Sequence, residues 1–368
     1  MYLSPTYRLK AMFVNKTLCE EFGYRHRRTI DPHVYHDIFD GMHYKELVTK
    51  NVVWEAQMFP DKYFACETDI ALGAMTDGVP CFKRNGLDCN RDRSVKRLFD
   101  IDSFLQPLVD DLRILAVDGV SAERWIYDEA SRTDVMTNFR LKAHLLTFTG
   151  DMPAVAKMNA IQHRAGKAHY YMARRSPEDD GPIDYATLPM RSHRQVMEQA
   201  FEIEMARSAA AKKRLGTRCG VNGQSLISVI GSVSFPWSFP LDIMHVLYEN
   251  LMKELLGLWK GSYKASMMTG ESTLEEEYVF SEHQWKLIDA EVARSTKLVP
   301  AQMAPSLSSV SERGYWNADT YAYFMMYLGP IVMRNRLPSR YYRHFVDLAR
   351  TRPTHHAHGD HCCESHQT

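Results

Sequence analysis

The chain has no excess of charge of either sign. Its 45 lysines and arginines balance 45 aspartates and glutamates, so global charge argues for no partner, and any nucleic-acid footprint must be local. No Cys-x-x-Cys pair occurs among the seven cysteines, Cys19, Cys66, Cys81, Cys89, Cys219, Cys362 and Cys363. An odd number in a chain of 368 residues excludes a fully paired disulfide framework and reads as reduced, intracellular thiols. No apolar run approaches the roughly 18 residues of a membrane span. Met1-Tyr-Leu-Ser-Pro lacks the charged and apolar regions of a signal peptide. What remains is a sequence with 45% hydrophobic and 24% charged residues, enough apolar material for one large core or two ordinary ones.

Residues 1 to 65 are mixed and polar, with Arg25-His26-Arg27-Arg28 near the start. Their loop-like context reads His26, His33, His36 and His43 as solvated or hydrogen-bonded rather than metal-bound. Ile70 to Met75 reads as a buried strand that runs into Thr76-Asp77-Gly78. Asp-Gly between two β-prone runs is a hairpin signal, with Val79 to Lys83 as the partner strand. The other reading makes Asp77 a carboxylate carried at a strand end to hold a metal. The following stretch, "NRDRSVKR", is a solvated loop or a phosphate contact. Asp102 then starts a helix in which Phe104, Leu105, Leu108, Val109, Leu112 and Leu115 repeat at helical steps, and Gly119 ends it.

In "FRLKAHLLTFTGDMPA", Leu141, Ala143, Leu145 and Thr147 alternate with Arg140, Lys142, His144 and Leu146. This is a second strand, and it stops at Gly150-Asp151. Asp151, like Asp77, therefore lies just past an apolar strand end. Residues 173 to 190 are rich in Pro, Gly and Asp and read as a linker. Residues 191 to 215 read as one charged helix ending in Lys212-Lys213-Arg214, a solvated face by default. In residues 234 to 261 a Pro-aromatic turn precedes a helix striped by Ile243, Met244, Leu247, Leu251, Leu255 and Leu258. Asp242, His245 and Glu249 fall at i, i+3 and i+7, on one side of that helix. Residues 262 to 315 read as loop-rich, and 317 to 336 as an apolar helix broken at Gly329-Pro330. The end, "HHAHGDHCCESHQT", is a His/Cys-biased tail with no apolar residues to shape a site.

The blocks "YRHRRTIDP", "DIALGAMTDGVPCFKR", "DIDSFLQPLVDDL", "LKAHLLTFTGDMPA", "SFPWSFPLDIMHVLYENLMKELLGLWKG" and "YAYFMMYLGPIVMRNR" occur in that order. Together they resemble the transposases of CACTA-type (En/Spm-like) DNA transposons in their fungal form, from about residue 4 to residue 348. The resemblance implies an α/β fold: a degenerate RNase H-like domain with an incomplete mixed sheet and extensive helical additions. It implies DDE/D chemistry, which is two-metal phosphoryl transfer on DNA ends with Mg²⁺ or Mn²⁺ as cofactor. Asp77 matches the first catalytic and metal-holding aspartate and Asp151 the second. Asp242 and His245 match the family's Asp-x-x-His signature. DNA is the implied partner and the nucleus the implied location, with a homo-oligomer as an option and no membrane.

Three departures qualify that likeness. The long apolar segment the family carries between "PFKR" and "DIDSFL", which supplies a central strand, is replaced here by charged residues. The Cys-x-x-Cys motif after "GDxPA" is absent, so zinc is not expected, and His163 and His169 alone do not replace four ligands. The last acidic residue of the family has no counterpart, and Glu249 is its well-placed local substitute. The expectation is a transposon-derived protein, catalytically incomplete as it stands. The alternative is a non-catalytic DNA- or protein-binding remnant of the same scaffold. DNA contacts would come from Arg91, Arg93, Lys96, Arg97, Lys212, Lys213 and Arg214. The expected organisation is an N-terminal segment 1–65, a first core part 66–172, a linker 173–190, a helical part 191–348 and a tail 349–368.

Overall fold

The computed structural model describes residues 2–29, 34–76, 102–158, 190–262, 276–296, 298, 309–311 and 316–350. The fold is mixed α/β, with helices outweighing three small sheets among the described residues. It divides into two compact units, Met1–Leu241 and Asp242–Thr368.

In the first unit, residues 1 to 65 are not the loop-like segment that their polarity suggests. Helices Pro5–Val14 and Lys16–Phe22 are followed by an antiparallel hairpin, β1 (Asn51–Trp54) with β2 (Gln57–Lys62). Glu55 and Ala56 make its turn at φ 47° and 63°. That left-handed pair suits the twist of a two-residue hairpin, but it carries neither the Asn nor the Gly that announces one.

Strand β3 (Ile70–Thr76) forms where expected. The helix Asp102–Arg113 continues as a π-helical turn, Ile114–Asp118, which Gly119 ends at φ 66°. The Gly119 N–H closes that turn on the Ile114 carbonyl at 2.7 Å. Val109, Leu112, Leu115 and Ala116 are buried on one face. Phe104 is 64% exposed, so the predicted apolar face begins at the next residue, Leu105, which packs on the core from a partly buried position. A hairpin then follows, β4 (Val120–Asp128) with β5 (Thr133–Leu141). After a bend at Lys142 the chain enters β6 (Ala143–Gly150), which lies parallel to β3. The single strand expected over this stretch is thus the end of one strand and the whole of another.

β6 does not alternate between core and solvent as its sequence suggests. Ala143, His144, Leu145, Leu146 and Phe148 are all buried. A parallel strand is covered on both faces, and here two faces meet different partners. Leu145 and Phe148 pack with Val109, Leu112 and Ala116 of the helix before them, and with Phe235 and Phe239. Leu146 packs with Tyr44, Val52, Tyr63 and Phe64. Complete burial of one such leucine stabilises the fold by about 1.5–3 kcal/mol. The charged segment 191–215 is two helices, His193–Glu204 and Ala209–Cys219, separated where Ser208 caps the second through the Ala211 N–H.

The second unit, taken alone, is helical among its described residues. Met244–Met252 is wound as a π-helix and passes into the α-helix Lys253–Trp259. The predicted stripe is corrected accordingly. Ile243, Met244 and Leu251 are exposed, and the buried face is Met252, Leu256 and Trp259. Wider π turns shift the phase of every residue after them relative to a 3.6-residue repeat. Residues 262–315 also hold a helix, Glu282–Thr296, whose Ile288 and Val292 reach the core. Gly329-Pro330 does not break its helix. A π turn over Phe324–Leu328 bonds the Gly329 N–H to the Phe324 carbonyl, and the helix resumes over Gly329–Val332. The wide turn relieves the clash that Pro330 would otherwise make one turn back. The final helix, Ser339–Arg350, sets Phe345 edge-on to Trp259 at 5.1 Å. The partner strand 79–83, the linker 173–190 up to residue 189 and the tail from residue 351 lie outside the described residues.

Gly150 tests the β3–β6 register. A Cβ there would stand 2.4 Å from the Thr76 carbonyl oxygen, which is backbone and cannot swing aside. Gly150→Ala is expected to destabilise the first unit by about 1–3 kcal/mol, the range for forced overpacking. A denaturant midpoint unchanged from the parent would show that the strand ends are not locked together.

Candidate functional site

The parallel register runs from Ile70↔Ala143 to Thr76↔Gly150. It therefore ends on the two residues that immediately precede Asp77 and Asp151. Asp151 leaves β6 and starts the helix Met152–Met158. Its Oδ1 accepts the Ala154 N–H at 2.7 Å, and its carbonyl accepts the Val155 N–H at 3.0 Å. This is an N-cap, a position where Asp is among the favoured residues. One carboxylate oxygen is thereby committed to the backbone, leaving Oδ2 as the oxygen suited to a hard cation. Asp77 itself lies outside the described residues, as do Arg91, Arg93, Lys96, Arg97, His33, His163 and His169.

The Asp-x-x-His pair is formed in the second unit. Asp242 Oδ1 accepts the Met244 N–H at 2.9 Å, and Oδ2 lies 2.7 Å from His245 Nδ1. Both oxygens of Asp242 thus fix the start of the helix and the imidazole together. With Nδ1 donating to Asp242, the Nε2 side of the ring is turned toward Glu249, whose Oε2 is 3.9 Å away. The i, i+3, i+7 reading placed these three correctly. The π winding that carries His245 and Glu249 left no trace in the apolar pattern.

Of the basic residues, Lys213 and Arg214 are exposed on the helix Ala209–Cys219, whereas Lys212 lies 3.5 Å from Glu204. His26 is exposed. The His36 backbone N–H donates to Asp40 Oδ2 at 2.8 Å. His43 Nε2 lies 3.0 Å from the Ser232 carbonyl and 2.9 Å from Ser238 Oγ. Burial pushes the His43 imidazole below its ordinary pKa. Among the described residues, no group of three or more His, Cys, Asp or Glu side chains gathers to hold a metal ion. No described helix is long and apolar enough to cross a membrane.

One residue of this region escaped sequence reasoning. His144 looked like the polar partner in an alternating strand, yet it is 1% exposed. Its ring stands edge-on to Tyr63 at 5.0 Å and to Phe64 at 5.1 Å. Neither ring nitrogen has a hydrogen-bond partner. Only the two-sided burial of β6 could have revealed it, and that depends on strand pairing rather than on local pattern.

Compared with protein-family models, the chain matches none, and a search of curated proteins likewise returns no match.

Burial holds the His144 imidazole neutral, with its pKa pushed down to about 3 and nearby Lys142 and Arg25 adding to the effect. An unfolded histidine titrates near pH 6.5. The unfolded chain therefore takes up the proton first as pH falls. Stability is lost from about pH 6.5 downward and continues to fall until the folded ring itself titrates. His144→Leu is expected to flatten this loss in urea titrations between pH 7 and pH 4. An unchanged pH slope in the variant would remove His144 as its cause.

Proposed function

We propose that the chain derives from a DDE/D-type DNA transposase of the CACTA lineage, with a degenerate RNase H-like core. The ends of β3 and β6 would carry the remains of its two-metal phosphoryl-transfer site. The observation that supports this reading best is the parallel pair itself. Thr76 stands beside Gly150, and each is followed in the chain by an aspartate that matches the family's acidic pair. Two acids at the ends of adjacent parallel strands suit Mg²⁺ or Mn²⁺, which favour hard oxygen ligands on rigid supports. Asp77 and Oδ2 of Asp151 would hold the metal, and Glu249 is, by its place in the sequence alone, the candidate for third acid. When bound, the ions would stabilise the attacking and leaving oxygens of an in-line displacement at a DNA phosphodiester.

The same reading makes the chain catalytically incomplete. The family's third acid and its Cys-x-x-Cys motif have no counterpart here. Loss of one metal-holding carboxylate removes electrostatic stabilisation that positioning alone cannot supply. DNA in the nucleus is the proposed partner. A second reading, a non-catalytic DNA-binding remnant, is favoured by Lys213 and Arg214. They are exposed side by side, and phosphate contact needs only local positive charge.

The test is an assay with Mg²⁺ or Mn²⁺ on DNA carrying the element's own terminal repeats, with Asp77→Asn and Asp151→Asn alongside. The expected result is no cleavage or strand transfer by any of the three chains. DNA binding should weaken with salt, and Lys213→Gln with Arg214→Gln should lower the salt slope by about one per lost phosphate contact. Metal-dependent cleavage by the parent chain that both aspartate variants abolish would overturn the inactivity claim and make Glu249→Gln the next variant to measure.

A further inference from the structure

We propose that Trp237 is a stacking platform for an unpaired base of single-stranded DNA. Its turn belongs to the first unit and lies beside β6, the strand that leads to Asp151. The proposal rests on the reading of DNA as partner given above, and it takes no step through a metal.

The turn 234–238 is fixed from within and from both sides. Ser234 N–H donates to Ser238 Oγ at 3.0 Å, and Ser238 N–H donates back to the Ser234 carbonyl at 2.8 Å. Phe235 N–H donates to His193 Nδ1 at 3.2 Å, and His43 Nε2 lies 2.9 Å from Ser238 Oγ. Phe235 and Phe239 anchor the two ends in the core. Two bonds tie the segment to β6. Ser232 Oγ donates to the Leu145 carbonyl at 2.7 Å, and Phe148 N–H donates to the Ser238 carbonyl at 2.7 Å. Phe235, Pro236 and Ser238 are buried and Ser234 is partly covered, whereas Trp237 is 62% exposed.

A large ring carried on so constrained a turn loses little freedom when a flat partner lands on it. Every nucleobase offers such a face, and stacking on an aromatic side chain tolerates any sequence. A protein hot spot works differently, since it sits inside a surround of contacts that keep water out. Here the neighbours of Trp237 within the turn point inward and supply no such surround, so a single ring suits one base better than an extended interface. The position selects DNA. Phe148, which holds the Ser238 carbonyl, is three residues before Asp151. A strand whose phosphodiester lay at that end of β6 would carry its neighbouring bases past the turn. Bases inside an intact duplex are stacked on one another and closed to the ring, so the partner is an unpaired base.

The full chain, without divalent metal, is titrated with a short single-stranded oligonucleotide and with its duplex while tryptophan emission is followed. Of the six tryptophans, Trp54, Trp259, Trp285 and Trp316 are buried and Trp125 is partly covered, so Trp237 dominates the solvent-exposed emission. The single strand is expected to quench it and the duplex to leave it nearly unchanged. By anisotropy of a labelled single strand, Trp237→Ala should bind about tenfold more weakly than the parent. Trp237→Phe keeps a ring, so it should stay within about threefold of the parent while losing the quenching. The side chain is exposed, so both variants retain the fold, which a thermal melt checks. No quenching by the single strand, or equal affinity of the parent and Trp237→Ala, would overturn the site. So would a blue shift of the Trp237 emission as the chain alone is concentrated, which would assign the ring to a contact between copies. If salt-sensitive duplex binding persists in those cases, the stacking site fails and the reading of DNA as partner stands. Failure to bind either form of DNA removes both.

Discussion

The first unit depends on the parallel pairing of β3 with β6. Parallel neighbours cannot be joined by a tight turn, so the chain must leave the sheet and return. Here the return includes the helix Asp102–Arg113, its π turn and the β4–β5 hairpin. The helix packs Val109 and Leu112 against Leu145 and Phe148, while its last buried leucine, Leu115, joins Leu141, Ala143 and Ile70. One short strand therefore takes part in three apolar clusters. A slip of one residue along it would exchange the two faces and disturb all of them.

Two-sided burial also explains the polar groups that the unit tolerates. His144 is enclosed because the face of β6 that it occupies is covered by Tyr63 and Phe64. Asp69, just before β3, is in a similar position. Its Oδ2 accepts the Cys66 N–H at 2.9 Å, its Oδ1 has no partner, and burial raises its carboxyl above the usual range. Arg25 binds the surrounding backbone, donating to the Asp69 carbonyl and to the Tyr44 hydroxyl, and lies over Phe64 at 5.4 Å. Phe64 itself adopts a left-handed φ of 58°, a conformation uncommon for a bulky residue that only firm packing maintains. The entrance of the parallel pair is thus kept by aromatic rings and one guanidinium, which bonds the Asp69 and Cys66 backbone carbonyls and the Tyr44 hydroxyl.

What was legible in the sequence follows the same physics. β3 was readable because a short apolar run bounded by a turn signal is what a buried strand looks like. The helix from Asp102 was readable because most of its buried face keeps the 3.6-residue repeat. β4 and β5 were not, because they are half exposed and mix charge with apolar residues, as in Glu123, Arg124 and Trp125. Their connection passes through Arg132 at φ 53°, without glycine. The apolar stripes of the second unit misled for another reason. Each π turn moves later side chains out of phase, and nothing in the composition marks where the winding changes. At the candidate site, Asp242 and His245 could be paired from spacing alone, since neighbours at i and i+3 meet on any helical turn. The closeness of the β3 and β6 ends could not, since strand order is a tertiary fact.

Asp151 shows why placement matters more than residue type here. A strand that ends in glycine and turns directly into a helix calls for Asp, Asn, Ser or Thr at the cap, so capping alone accounts for an aspartate there. Capping uses only Oδ1, however, and Asn would serve it equally well. What capping does not require is a second acid following the strand that pairs alongside. The register supplies that partner in the sequence position of Asp77. The proposed metal-site ancestry therefore rests on the coincidence of two strand ends and not on the carboxylate of Asp151. It also identifies Asp151→Asn as the informative replacement. That change keeps the cap oxygen and removes the charge, so its effect on chemistry is separated from its effect on folding.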